Sequence, residues 1–197
     1  MWGLEHLRCR GIPFQVIAVI TEESLSRPHA ELAYRQFLQR FWELWQEHPG
    51  QMRVREFEGI CSLAQADARL DCSDMNNPFA IVNVDARGAI ATFDPELLSV
   101  QTDTYGDFVL GDVRSDSLVS IAGKAKFQRI LSDMRAGTDR CRSECAYFGL
   151  CGGGAGSNKY WERGTFACTQ TQACRYRIKL TADVARAGLE EALGLVS

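Results

Sequence analysis

The apolar positions of this chain change period along its length. FQVIAVIT, residues 14–21, is a continuous, partly β-branched apolar run introduced by Gly11 and Pro13. It predicts a strand buried on both faces, as in a parallel sheet. Thr21 to Pro28 is a polar link whose Ser and Pro residues suit a helix start. Tyr34, Phe37, Leu38, Phe41, Trp42 and Trp45 then fall at helical spacing until His48, Pro49 and Gly50 stop the pattern. This predicts a helix with an aromatic stripe turned to the core. Met52 to Phe57 reads as a second short strand, which completes one β-α-β unit, and MWGLEHLRCRG ahead of it reads as the tail of an earlier helix. One such unit cannot bury both faces of a parallel sheet. The pattern therefore predicts a chain that begins partway through a larger α/β fold, or completes its sheet with a partner, and that folds poorly alone because Phe14 to Ile20 leave a sheet edge open.

From Glu58 to Pro78 the period lapses into a polar link containing Asp67, Asp71, Asp74, Asn76 and Asn77, which places a domain boundary there. FAIVNVDARGAIATF, residues 79–93, has two alternating runs around Asp85, Ala86, Arg87 and Gly88 and predicts a β-hairpin. A helix is expected from about Ser117 to Ala136, with Phe127, Ile130, Leu131 and Met134 on one face and Gly137 in the C′ position. A last helix is expected from near Cys174 to Leu193.

Composition narrows the function. The 197 residues are 46% hydrophobic and 24% charged with a formal net charge of -3, which suits a globular chain with a real core. Without a basic run, neither nucleic acid nor an anionic membrane surface is an expected partner; a peptide or a small molecule is. The longest apolar run, Phe14 to Ile20, is too short for a membrane span. The N-terminus does not resemble a secretion signal, so a cytoplasmic protein is expected.

Eight cysteines in a reducing compartment suggest metal rather than disulfides. Five of them lie in CRSECAYFGLCGGGAGSNKYWERGTFACTQTQAC, residues 141–174: Cys141, Cys145, Cys151, Cys168 and Cys174. Four thiolates complete either a zinc site or an iron-sulfur site, and spacing alone leaves both open. Gly152, Gly153, Gly154 and Gly156 lack Cβ atoms, so the main chain can turn freely and approach a bulky cluster with its N–H groups directed at it. Cys9, Cys61 and Cys72 have no ligand spacing and read as free thiols. Asn158, Lys159, Tyr160, Trp161 and Glu162 read either as a solvated turn or as contacts to a peptide or to the cluster's surroundings.

The same run resembles the C-terminal SPASM region of radical SAM peptide maturases, in particular the glycine-rich-repeat (GrrM-like) subgroup, through YF..CGGG...NK..E.GTF and a final cysteine. FAIVNVDARGAIATFDPELL, residues 79–98, is similar to that subgroup's stretch ending in STFSPELL, and YGDFVLGDV, residues 105–113, also fits. The resemblance runs from about Gly11 to Thr181. It implies an α/β chain in two parts. Residues 1–76 would be the C-terminal remnant of a partial (β/α) radical SAM barrel, and 77–197 a small α+β SPASM domain with a β-hairpin, helices and an iron-sulfur cluster loop. It further implies an auxiliary 4Fe-4S cluster held by Cys141, Cys145, Cys151 and Cys174 beside Gly152, Gly153 and Gly154, with a ribosomally made glycine-rich precursor peptide as the crosslinked substrate. Asp94 and Glu96 stand where other SPASM domains carry a cysteine-bearing stretch, which would put them near the cluster.

Three departures qualify the resemblance. No CxxxCxxC is present, so S-adenosylmethionine and the second, radical-generating 4Fe-4S cluster of the family are not expected on this chain, which would need the N-terminal barrel portion as a partner. Ala155 stands where many SPASM domains have a further cysteine, which implies one auxiliary cluster rather than two. CTQT replaces the subgroup's STET, so Cys168 is an alternative to Cys174 as the fourth ligand. A stand-alone peptide-recognition module that binds iron-sulfur or zinc without catalysis of its own, and a zinc-stabilised interaction domain, remain as alternatives.

Overall fold

The structure is a computed structural model that describes residues 2–15, 21–48, 50–98 and 100–195. Its contacts divide the chain into two units, Met1–Tyr34 and Arg35–Ser197. The first contains α1 (Trp2–Cys9), in agreement with a helical N-terminus, and the short α2 (Glu22–Leu25). Most of the expected first strand, residues 16–20, and with it the open sheet edge, lies outside the described residues; Phe14, Gln15 and Thr21 have irregular backbone. Helix α3 (Ala30–Glu47) begins in the first unit and continues in the second.

Within the second unit, the aromatic stripe of α3 buries Leu38 and Trp42, whereas Phe37 remains 54% exposed. The strand expected at Met52–Phe57 is instead irregular backbone leading into helix α4 (Arg55–Gln65). The alternation of Met52 and Val54 ends there, and Val54, Phe57, Ile60 and Cys61 continue at helical spacing. Phe57, only 1% exposed, sets its ring against Phe41, Trp42 and Trp45, with centroids 5.6, 5.0 and 5.5 Å away. That packing decides for helix, and no β-α-β unit is found among the described residues.

The expected hairpin forms. Strands β1 (Val82–Val84) and β2 (Ala89–Thr92) pair antiparallel with Val82 opposite Thr92 and Val84 opposite Ile90. The Asp85 carboxylate fixes the turn by accepting from the N–H groups of Arg87 (2.8 Å) and Ala89 (2.9 Å). A 3-10 turn, Pro95–Leu97, follows, capped by Asp94. Strands β3 (Gln101–Thr102) and β4 (Gly106–Asp107) pair with each other, and β5 (Gly111–Asp112) joins the hairpin in the order β1-β2-β5.

The single helix expected over Ser117–Ala136 is two. Ser117 and Ser120 form a capping box on α5 (Leu118–Ala122), Gly123 ends it, and Lys124 adopts extended backbone before α6 (Ala125–Glu144) starts. The Lys124 ammonium holds this break by pairing with Asp116 at 2.6 Å and donating to the Leu110 carbonyl at 3.0 Å. The expected stop at Gly137 is also corrected, because α6 runs on for two more turns. Gly137 is there for space: a Cβ would stand 1.9 Å from the Phe166 carbonyl oxygen. The face bearing Phe127, Ile130, Leu131 and Met134 is buried as expected, against Ile90, Phe93, Leu97 and Phe166.

After α6 come the one-turn α7 (Phe148–Cys151), α8 (Gly156–Arg163), a π-helical segment at Cys174–Leu180 and α9 (Thr181–Ala192), the last two forming the expected final helix. Helix α9 packs against α4. The expected domain boundary at 76/77 therefore falls inside the second unit, with segments from both sides of it packed together.

Candidate functional site

The cysteine segment is built at the end of α6. Cys141 occupies the helix's last turn and is 5% exposed, and Cys145 is its C-cap, with its N–H on the Cys141 carbonyl at 3.0 Å. Cys151 ends α7, where Gly152 reverses the chain in the left-handed region (φ 58°) and donates its N–H to the Phe148 carbonyl at 2.8 Å. Gly153 and Gly154 continue with φ of 95° and 71°, conformations that side chains with a Cβ rarely adopt. The Gly154 N–H closes this turn by donating to the Cys151 carbonyl at 3.2 Å. Gly152 serves another purpose: a Cβ there would stand 2.3 Å from the Cys72 main chain, so its space is taken by protein.

Cys174 arrives from the other side, at the first residue of the π-helical segment. Its N–H donates to the Thr171 hydroxyl at 3.0 Å, and the Glu162 carboxylate accepts from the N–H groups of Gln172 and Ala173, which anchors this helix start to α8. π-turns inside helices are frequent at functional sites. The start of the Cys145–Cys151 connection is tied to α9, since the Tyr147 hydroxyl donates to Asp183 at 2.6 Å and Arg35 reaches the same carboxylate at 3.4 Å.

Four of the thiols share one neighbourhood. Burial is the main reason that the Cys174 thiol is pushed up to about 11, and the charges that Cys151, Cys145 and Cys141 can carry add to the rise. Burial likewise raises Cys151, with Cys145 and Cys141 contributing in the same direction. Cys168 differs. Burial raises its thiol too, but its charged surroundings are Lys159, Arg163 and Arg140, and Cys141 is the one thiol among them. Cys141, Cys145, Cys151 and Cys174 thus lie within electrostatic reach of one another, and the charges that act on Cys168 are mainly cationic. The thiols of Cys61 and Cys72 are raised by burial without any influence from the four.

Four sulfurs form a soft donor set of the kind that iron-sulfur clusters and zinc take. Among the described residues, no three His, Cys, Asp or Glu side chains are already drawn into a group that could hold a metal ion. The donors fit such a group by their chemistry, and binding would require the raised thiols to draw together and lose their protons.

One part of the site was not expected, and a second overturns the solvated-turn reading of one residue. The polar stretch read as a domain link is a strap across the cysteine loop. Leu70 N–H donates to the Gly149 carbonyl (2.7 Å), Ser73 N–H to that of Gly152 (3.1 Å), and the side chains of Ser73 and Asn76 to that of Gly154 (2.7 and 2.6 Å). Arg142 adds a bond to the Asp71 carbonyl at 3.0 Å. The second part is Lys159. It is only 4% exposed and donates to Cys141 Sγ at 3.3 Å. Of its sequence neighbours, Trp161 is 56% exposed. Asp94 is buried with Ser157 of α8 bonded to its carboxylate, while Glu96 gives that same carboxylate its backbone N–H at 3.2 Å.

No protein-family model matches the chain, and no solved structure matches it. Among curated proteins, it is 54% identical over 229 residues to "Uncharacterized protein sll1766" from Synechocystis sp. (strain ATCC 27184 / PCC 6803 / Kazusa). The match takes in 99% of this chain and 58% of that protein, so the chain spans well under two thirds of the relative's length. Among the described residues, no helix is long and apolar enough to cross a membrane.

Proposed function

We propose that Cys141, Cys145, Cys151 and Cys174 hold an auxiliary 4Fe-4S cluster in the SPASM portion of a radical SAM peptide maturase of the glycine-rich-repeat subgroup, with a ribosomally made glycine-rich precursor peptide as substrate. The observation that supports the proposal is that α6, α7 and the π-helical segment carry Cys141, Cys145, Cys151 and Cys174 within electrostatic reach of one another, beside a left-handed glycine turn at 152–154. The motif resemblance of residues 79–98, 105–113 and 141–174 supplies the family.

In this reading, the protein's own residues act as ligands and supports. Cys141 and Cys145 are fixed by the end of α6, Cys151 by α7 and the glycine turn, and Cys174 by Thr171 and by Glu162 on its helix. The strap from Leu70 to Asn76 closes over the loop and keeps its carbonyls bonded. When bound, an auxiliary cluster supplies one-electron redox capacity near the peptide. The family's S-adenosylmethionine cleavage needs a CxxxCxxC motif, which these 197 residues do not contain, and in the proposal it belongs to a barrel portion supplied outside them. A zinc-binding peptide-recognition module is the second reading, favoured by a donor set of four thiols, as in closed four-coordinate structural zinc sites.

The two separate on metal content. The 197-residue chain, produced and purified without oxygen and reconstituted with iron and sulfide, is expected to carry both in the proportion of one 4Fe-4S cluster and to show the broad visible absorption of such a cluster. A colourless protein that retains one zinc and takes up no iron overturns the cluster and supports the second reading.

A further inference from the structure

The most unusual side chain in the second unit is Lys159. Lysine is seldom fully buried unless paired, because an ammonium removed from water needs compensating partners. Lys159 is 4% exposed, yet among the described residues its Nζ has no carboxylate within ion-pairing distance, and its hydrogen bond goes to Cys141 Sγ at 3.3 Å. Its charge also reaches Cys168. The fold makes room for this arrangement: Gly137, one turn before Cys141 on α6, would bring a Cβ within 3.2 Å of Nζ if it had one. Helix α8 meanwhile is held by Ser157 on Asp94 and by Glu162 on the start of the Cys174 helix, so the lysine's backbone is fixed at both ends of its turn.

From this geometry we infer that Lys159 is a positioning residue that places an N–H donor and a positive charge on one ligand sulfur and thereby sets the reduction potential of the metal site. The inference rests on the cluster reading above. A thiolate ligand carries negative charge, and a reduced cluster carries more. Hydrogen bonds and cations directed at its sulfurs stabilise the reduced form and raise the potential. Cys141 is the sulfur so treated.

The test uses the full 197-residue chain, reconstituted anaerobically, with Lys159→Gln and Lys159→Met beside the wild type. Gln keeps a donor and removes the charge; Met keeps the apolar bulk and removes both. Spectroelectrochemical titration is expected to move the midpoint potential to more negative values from wild type to Gln to Met, with iron and sulfide per folded chain unchanged. If Met does not fold, as judged by circular dichroism, the Gln variant carries the comparison. A loaded Gln variant at the wild-type potential overturns the inference. So does a folded Gln variant that takes up no iron, because Lys159 would then help hold the site rather than tune it. A wild type that takes up no iron overturns the cluster reading itself, and this inference with it.

Discussion

Gly137→Ala is the sharpest test of how the candidate site is assembled. On an ordinary exposed helix, this exchange stabilises by up to ~1 kcal/mol, because alanine is the better helix former. At Gly137, the new methyl group would stand 1.9 Å from the Phe166 carbonyl oxygen and 2.9 Å from its carbon, well inside the 3.0 Å that real Cβ contacts respect. The obstacle is backbone, so no rotamer change relieves it. Either α6 or the segment from Phe166 to Cys168 must move by about 1 Å, and Phe166 is a fully buried member of the core. Overpacking of this kind costs about 1–3 kcal/mol or more, and the backbone obstacle puts it at the upper end. After the propensity gain, the net loss is about 2 kcal/mol, or about 4–8 °C in Tm for a chain of this size. Because the Thr169 carbonyl accepts from Cys141 Sγ at 3.5 Å, displacement of that segment should also speed the reaction of Cys141 with a thiol reagent. The assay is thermal unfolding by far-UV circular dichroism, with Gly59→Ala on α4 as the control, where no atom lies within 4 Å of the added methyl group and a small rise in Tm is expected. A Gly137→Ala protein that melts at or above the wild type refutes the packing of α6 on this segment.

Asp94→Ala leaves the buried Ser157 hydroxyl without its acceptor and should cost about 1–3 kcal/mol in urea unfolding; a change below a few tenths contradicts the buried contact. Asn76→Ala removes one of the two donors on the Gly154 carbonyl and should speed hydrogen exchange at the Leu70 and Ser73 amides, with little change in the β1-β2 hairpin. In acid, stability should fall as Asp112 and Asp116 titrate: the Arg114 guanidinium and backbone N–H lower the first, Lys124 the second, so their contribution is present above the ordinary carboxylate range and lost as pH drops through the folded values. In alkali the sign reverses for Cys174, whose raised thiol favours the folded metal-free protein below the ordinary thiol range of about 8.5 and loses that advantage as pH rises towards about 11. Metal-free Cys174→Ala should therefore melt with a weaker dependence on pH in that window than the wild type.

What the sequence disclosed and what it concealed follow from the range of the interactions involved. Helix α3, the hairpin around Asp85–Gly88 and the final helix depend on local period and turn chemistry, and all three were legible. Met52–Phe57 was misread because alternation over three residues resembles a strand, while the evidence for a helix lies beyond it, at Ile60 and Cys61, and in the rings that enclose Phe57. Gly137 looked like a helix stop since glycine often is one; its real cause, the Phe166 carbonyl, is remote in sequence. The strap was invisible for the same reason: Leu70, Ser73 and Asn76 bond to main-chain carbonyls of Gly149, Gly152 and Gly154, which no side-chain pattern announces. The cysteine spacing marked residues 141–174 as the candidate site, but could not separate Cys168 from Cys174. Lys159 had one faint signal, its position in the glycine-flanked turn, and its burial against Cys141 could only be read in three dimensions.

The central claim is that four named cysteines, and not a fifth, hold one cluster. Iron and sulfide per chain, measured after anaerobic reconstitution of Cys174→Ser beside Cys168→Ser, test it most directly. The account predicts that Cys174→Ser loses most of its iron and its visible absorption while Cys168→Ser keeps both; full loading of Cys174→Ser together with loss in Cys168→Ser would contradict it.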